Sequence, residues 1–128
     1  HTGHLLMAKE ANTYGITVAI LNSDEWLIRK KGYFVQTYEE RKTIGEAFRY
    51  IDLVVATDDS DGTVCEALNR IRPDYFANGG DRQKDLNNVP EAQLCNELGI
   101  QMLWEVGGNH KQQSSSSLIN NVLNKMKQ

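Results

Sequence analysis

Two histidines open the chain, three residues apart, in His1-Thr2-Gly3-His4, and a helix-like run, Leu5 to Asn12, follows directly. A helix start offers free N–H donors and the positive end of a dipole, and glycine lets a ligand approach the backbone. Two imidazoles placed there can donate hydrogen bonds to a phosphoryl group as charge builds up on it. The same pair is also what solvated terminal histidines look like. A second cationic candidate is Arg29-Lys30-Lys31-Gly32, read as a basic loop. Lysine binds phosphate as a point charge, although an isolated charge run also suits solvent. Arg41 and Arg49, eight residues apart, fall within roughly 80° of each other on one continuous helix. Both can then flank one site, while Arg49 near a helix end also complements the dipole.

Two further segments suit a nucleotide. Gly79-Gly80-Asp81-Arg82 comes after a short apolar run, where paired glycines make either a tight turn or a surface for a base or ribose. Ser114 to Ser117 precede an apolar segment, so their hydroxyls and the free N–H groups there form an anion cradle or a simple cap. Asp58-Asp59-Ser60-Asp61-Gly62 superficially matches a calcium loop. Its register fails, because Thr57 and Leu68 fall where an Asp and a Glu are required. A polar turn with Asp61 or Thr63 capping the next helix accounts for it better.

These residues need a frame, and helices alternate with short apolar strands. Helices are expected over 5–12, 24–28, 37–50, 63–71, 90–98 and 118–126. Buried strands are expected over 16–21, 53–56, 75–77 and 100–106. Thr37-x-x-Glu40 is a capping box, and Pro73 and Gly99 sit past helix ends. Such alternation means βαβ units, a parallel sheet and a doubly wound, Rossmann-like α/β sandwich with helices on both faces. Ligands of such sheets bind outside the carboxyl ends of the strands. The segments singled out above follow strands or open helices.

Size and charge narrow the function. The 128 residues make one domain over 1–128. Net charge is −3, which argues against general nucleic-acid binding but leaves room for a local phosphate pocket. No apolar run approaches the roughly 20 residues of a membrane span. Cys65 and Cys95 lie far apart with no metal-like spacing, so a reducing, cytoplasmic compartment is expected.

Taken in order, HTGH at 1–4, NSDEWLIRKKG at 22–32, YEERKTIGEAFRYIDLVV at 38–55, RPDYFANGGDR at 72–82 and the serines at 114–117 resemble the HxGH-type nucleotidyltransferase family. The likeness is greatest to its small cytidylyltransferase-like members, including those that act on glycerol 3-phosphate or form ADP-heptose. It implies transfer of CMP or AMP from CTP or ATP to a phosphorylated polyol or sugar, with release of pyrophosphate and with Mg²⁺ accompanying the triphosphate. It implies that His1 and His4 contact the triphosphate, that Lys30 or Lys31 holds phosphate, and that Arg49 binds acceptor or triphosphate. Gly3, Gly79, Gly80 and Asp81 would lie against the nucleotide, and Ser115 and Ser116 would match a phosphate motif. A homodimer is expected near residues 49–55. The family carries a strand and a Gly-rich turn before its HxGH, so an N-terminally incomplete domain with residues upstream of His1 is expected. The alternative is a non-catalytic nucleotide-binding module or a truncated descendant.

Overall fold

A computed structural model describes residues 2–79 and 89–108. The element order is α1 (Thr2–Asn12), β1 (Val18–Leu21), α2 (Asp24–Lys31), α3 (Tyr38–Glu46), β2 (Leu53–Ala56), α4 (Cys65–Ile71), β3 (Tyr75–Ala77), α5 (Val89–Leu98) and β4 (Gln101–Leu103). Strands β1 and β2 pair in parallel from Val18↔Leu53 to Leu21↔Ala56, and β3 and β4 pair in parallel from Tyr75↔Gln101 to Ala77↔Leu103. Parallel pairs joined through helices give the expected Rossmann-like α/β fold. Among the described residues no helix is long and apolar enough to cross a membrane.

The two ladders share a core. Leu68, Cys95 and Ile100 are buried together, and Ile20 of β1, Phe76 of β3 and Met102 of β4 pack against them. The strands are less buried than expected. All four residues of β1 are half-buried, and Leu53 of β2 is 55% exposed while Val54 beside it is buried. Each ladder described holds two strands, so each strand has one hydrogen-bonded neighbour rather than two.

Several boundaries move for local reasons. The expected basic loop at 29–32 is instead the last turn of α2. Ser23 caps that helix by accepting from the Trp26 N–H, and Gly32 closes it with an N–H donated to the Ile28 carbonyl. Asp24 and Glu25 in its first turn, and Arg29, Lys30 and Lys31 in its last, all complement its dipole. Helix α3 starts at the Thr37 cap but stops at Glu46, short of Tyr50. Gly45 lies so near β2 that a Cβ would stand 3.2 Å from a Val54 methyl. The chain then tightens into i→i+3 bonds, Phe48 N–H to Gly45 and Ile51 N–H to Phe48. Arg49 therefore leaves the helix that carries Arg41. Helix α4 starts at Cys65; its N-cap residue Val64 has no capping side chain, but the Cys65 N–H donates to Thr63 Oγ1 at 3.2 Å, so Thr63 serves the helix start as expected. Asp61 in turn accepts from the Thr63 N–H and hydroxyl, and the Val64 N–H goes to Glu91 Oε1 at 3.2 Å. Strand β4 ends at Leu103, and the expected helix 118–126 lies outside the described residues.

One polar knot sets the direction of α1. Asn12, its last residue, donates to the Tyr50 carbonyl at 3.2 Å and to Asp52 at 3.4 Å. Asp52 also accepts from the Thr17 N–H at 2.8 Å. The C-terminus of α1 is thus tied to the starts of β1 and β2, and its first turn opens toward the strands' carboxyl ends.

Candidate functional site at the carboxyl edge

Four strand exits and one helix start meet at this edge. Gly3 and His4 lie in the first turn of α1, which itself contains no acidic residue. The exit of β4 lies directly on α1. A Cβ on Gly107 would come within 3.0 Å of the Met7 nitrogen and 3.1 Å of its Cα, and its φ is +90°. The exits of β3 and β4 are bonded together, Asn78 N–H to the Leu103 carbonyl at 2.7 Å and Val106 N–H to the Asn78 carbonyl at 3.1 Å. Gly79 is near the same place, with its Cβ position 3.7 Å from the Val106 carbonyl oxygen and 3.8 Å from the Met7 sulfur. The structure thus brings Gly3, His4 and Gly79 to one end of the sheet. His1, Gly80, Asp81, Ser115 and Ser116 lie outside the described residues.

Gly107→Ala should cost about 1–3 kcal/mol, because a side chain there meets backbone at a positive φ. Gly108→Ala, with φ +102° but nothing within 4 Å, should cost less. Thermal melts of the two variants check this, and equal melting temperatures would contradict the close approach.

On the other side of the edge stand the exits of β1 and β2. Asp59 is 4% exposed, and its carboxylate accepts from the Ser23 N–H at 2.8 Å, the Ser23 hydroxyl at 2.7 Å and the Asn22 amide at 3.3 Å. Burial by itself would raise the titration of Asp59, but the bonds from Ser23 and Asn22 together outweigh it and hold the group below the usual carboxylate value. Sequence reasoning missed this residue. Its only trace was the acidic run 58–61, in which one carboxylate looks like another.

The cations divide by what already holds them. Arg41 donates to the Asn22 and Gln36 carbonyls and pairs with Asp24 at 2.8 Å, so it braces the exit of β1. Arg29 donates to the Asp59 carbonyl at 2.7 Å. Lys30 lies 5.1 Å over the Trp26 ring. Lys31 is exposed in the last turn of α2 and has no partner among the described residues. Arg49 stacks 5.7 Å from the Tyr50 ring, whose backbone carbonyl belongs to the knot at Asn12. About 12 Å of helix separates His4 from Asn12 at 1.5 Å per residue. Within this chain, then, Arg49 and His4 lie toward opposite ends of α1 and are not brought together.

Parallel ladders joined through helices, with loops and a helix start gathered at their carboxyl ends, define a Rossmann-like nucleotide-binding α/β protein. The chain belongs to the cytidylyltransferase-like family, whose model matches residues 1–121. It is also similar to FAD synthases of Archaeoglobus fulgidus, at 27% identity, and Ferroglobus placidus, at 26%, each over 85 residues. That match takes in 66% of this chain, and the chain spans 61% and 55% of those two relatives.

Proposed function

We propose that the protein transfers a nucleotidyl group, CMP or AMP, from CTP or ATP to a phosphorylated small acceptor and releases pyrophosphate. The observation that supports this best is the first turn of α1, carrying Gly3 and His4, with the β3 and β4 exits packed beside it. An acceptor phosphate oxygen attacks the α-phosphorus in line. The bond to the bridging oxygen of the β-phosphate breaks, and pyrophosphate leaves. Catalysis comes from positioning and from donors aimed at the developing charge, with no covalent intermediate. His4 and the N–H groups at the start of α1 face that charge, joined by His1 in the same motif. Gly79, Gly80 and Asp81 lie against the base and ribose, and Ser115 and Ser116 complete the phosphate cradle. In this proposal Mg²⁺ accompanies the triphosphate as part of the substrate.

Two acceptors divide the reading. A phosphorylated polyol or sugar with CTP follows from the motif order. A flavin phosphate with ATP is favoured by the relatives named FAD synthase. Cytoplasmic location and a homodimer through residues 49–55 belong to the same proposal. The test is a pyrophosphate-release assay with CTP or ATP against glycerol 3-phosphate or FMN, in the presence of Mg²⁺. Release with one pair selects the acceptor class, and release with none removes the catalytic reading.

The lysines give a sharper expectation. Lys31→Ala should raise KM for the anionic substrate about tenfold, the size of one lost charge contact. Lys30→Ala should raise it less, since Lys30 already lies against Trp26. Steady-state kinetics on both variants decide it, and a larger effect at Lys30 would reverse the assignment.

A further inference from the structure

The turn that follows β2 grips α2 at three points. At the helix start, the Asp59 carboxylate takes the Ser23 N–H, the Ser23 hydroxyl and the Asn22 amide. At the last turn, the Asp59 carbonyl takes the Arg29 guanidinium at 2.7 Å. Between them, Trp26 Nε1 donates to the Gly62 carbonyl at 3.1 Å. The turn itself is closed by the Gly62 N–H on the same Asp59 carbonyl.

A buried carboxylate is costly unless its oxygens are bonded, and here three donors meet it. Ser23 already caps α2 through the Trp26 N–H, so the helix start does not itself require a second acceptor beneath it. The partners of Asp59 all belong to the β1 exit, α2 or its own turn, and none belongs to the Leu68–Cys95–Ile100 core. Loss of this carboxylate thus loosens α2 and leaves the core untouched.

We propose that Asp59 is a positioning residue, whose carboxylate fixes the start of α2 while its backbone carbonyl holds Arg29 in the last turn, and so sets where Lys31 stands for an anionic substrate; this rests on the nucleotidyl-transfer reading above. Asparagine at 59 keeps one acceptor oxygen but sets an NH₂ donor against either the Ser23 hydroxyl or the Ser23 N–H and Asn22 amide, and α2 would shift from its seat. Lys31 would then be displaced without being removed.

Two readouts test this on the full chain. In a Trp104→Phe background Trp26 is the sole tryptophan. Asp59→Asn should there shift Trp26 emission to the red and raise its quenching by acrylamide about twofold, as polar contacts holding the ring are lost. Affinity for inorganic tripolyphosphate should fall about tenfold in Asp59→Asn and in Lys31→Ala. The double variant should be within about twofold of the worse single one, because both changes remove one interaction. Unchanged Trp26 emission, or losses that multiply in the double variant, would overturn the proposal. If Asp59→Asn does not fold, Arg29→Ala severs the grip at the exposed end alone and carries the same two readouts. Absence of tripolyphosphate binding in the unmodified protein would remove the nucleotidyl-transfer reading, and Trp26 emission would still decide whether Asp59 holds α2.

Discussion

Replacing His4 with alanine should lower kcat by about 10²–10³-fold, the usual loss when one donor to a developing charge is removed. The side chain is exposed in the first turn of α1 and is absent from the buried core, so the fold should survive the change. KM should move less than kcat, because a donor aimed at the transition state is felt little in the ground state. The measurement is steady-state pyrophosphate release by a variant whose melting temperature matches that of the unmodified protein. Turnover within about threefold of normal would return His4 to the role of a solvated helix residue.

The second large effect is on stability. Leu68 is fully buried, in one cluster with Cys95 and Ile100 and with side chains from β1, β3 and β4 packed around it. Leu68→Ala should cost about 2–5 kcal/mol, a lost transfer term plus a cavity that α4 and α5 cannot fully close. That is a large share of the roughly 5–15 kcal/mol that holds a domain together. Leu68→Met keeps the volume and should cost less than about 1.5 kcal/mol. Urea midpoints of the two variants separate cavity from chemistry. Equal midpoints would mean that the two ladders do not depend on this core.

Which parts were legible follows from what each signal encodes. Strand β3 was readable at Tyr75–Ala77 because Pro73 ends the preceding helix and Asn78 begins a polar exit. The Thr37 cap was readable because a hydroxyl three residues before a glutamate has a fixed local partner, here the Glu40 N–H at 3.2 Å. The last turn of α2 was not, because Arg29, Lys30 and Lys31 carry no apolar period; their helix rests on Ser23, Gly32 and a dipole match. Nor was the early end of α3, which depends on how closely Gly45 meets Val54 in space. At the site, His4 and Gly79 were marked by type and spacing. Asp59 was hidden among neighbouring aspartates, and Glu91, which takes the Val64 N–H, had no motif at all. The placing of Arg49 on one face with Arg41 assumed an unbroken helix, and the break after Glu46 undoes that pairing.

The bracing of Arg29 and Arg41 by carbonyls and carboxylates bears on how a ligand arrives. Their guanidiniums serve as struts, and these 128 residues carry a formal net charge of −3, the same sign as a polyphosphate. Net charge therefore adds no long-range attraction for a polyphosphate. On the proposed function, attraction acts within about 8 Å, the screening length at physiological salt, at Lys31 and the start of α1. Capture by this edge is a matter of collision and retention, so its selectivity resides in how long a ligand stays.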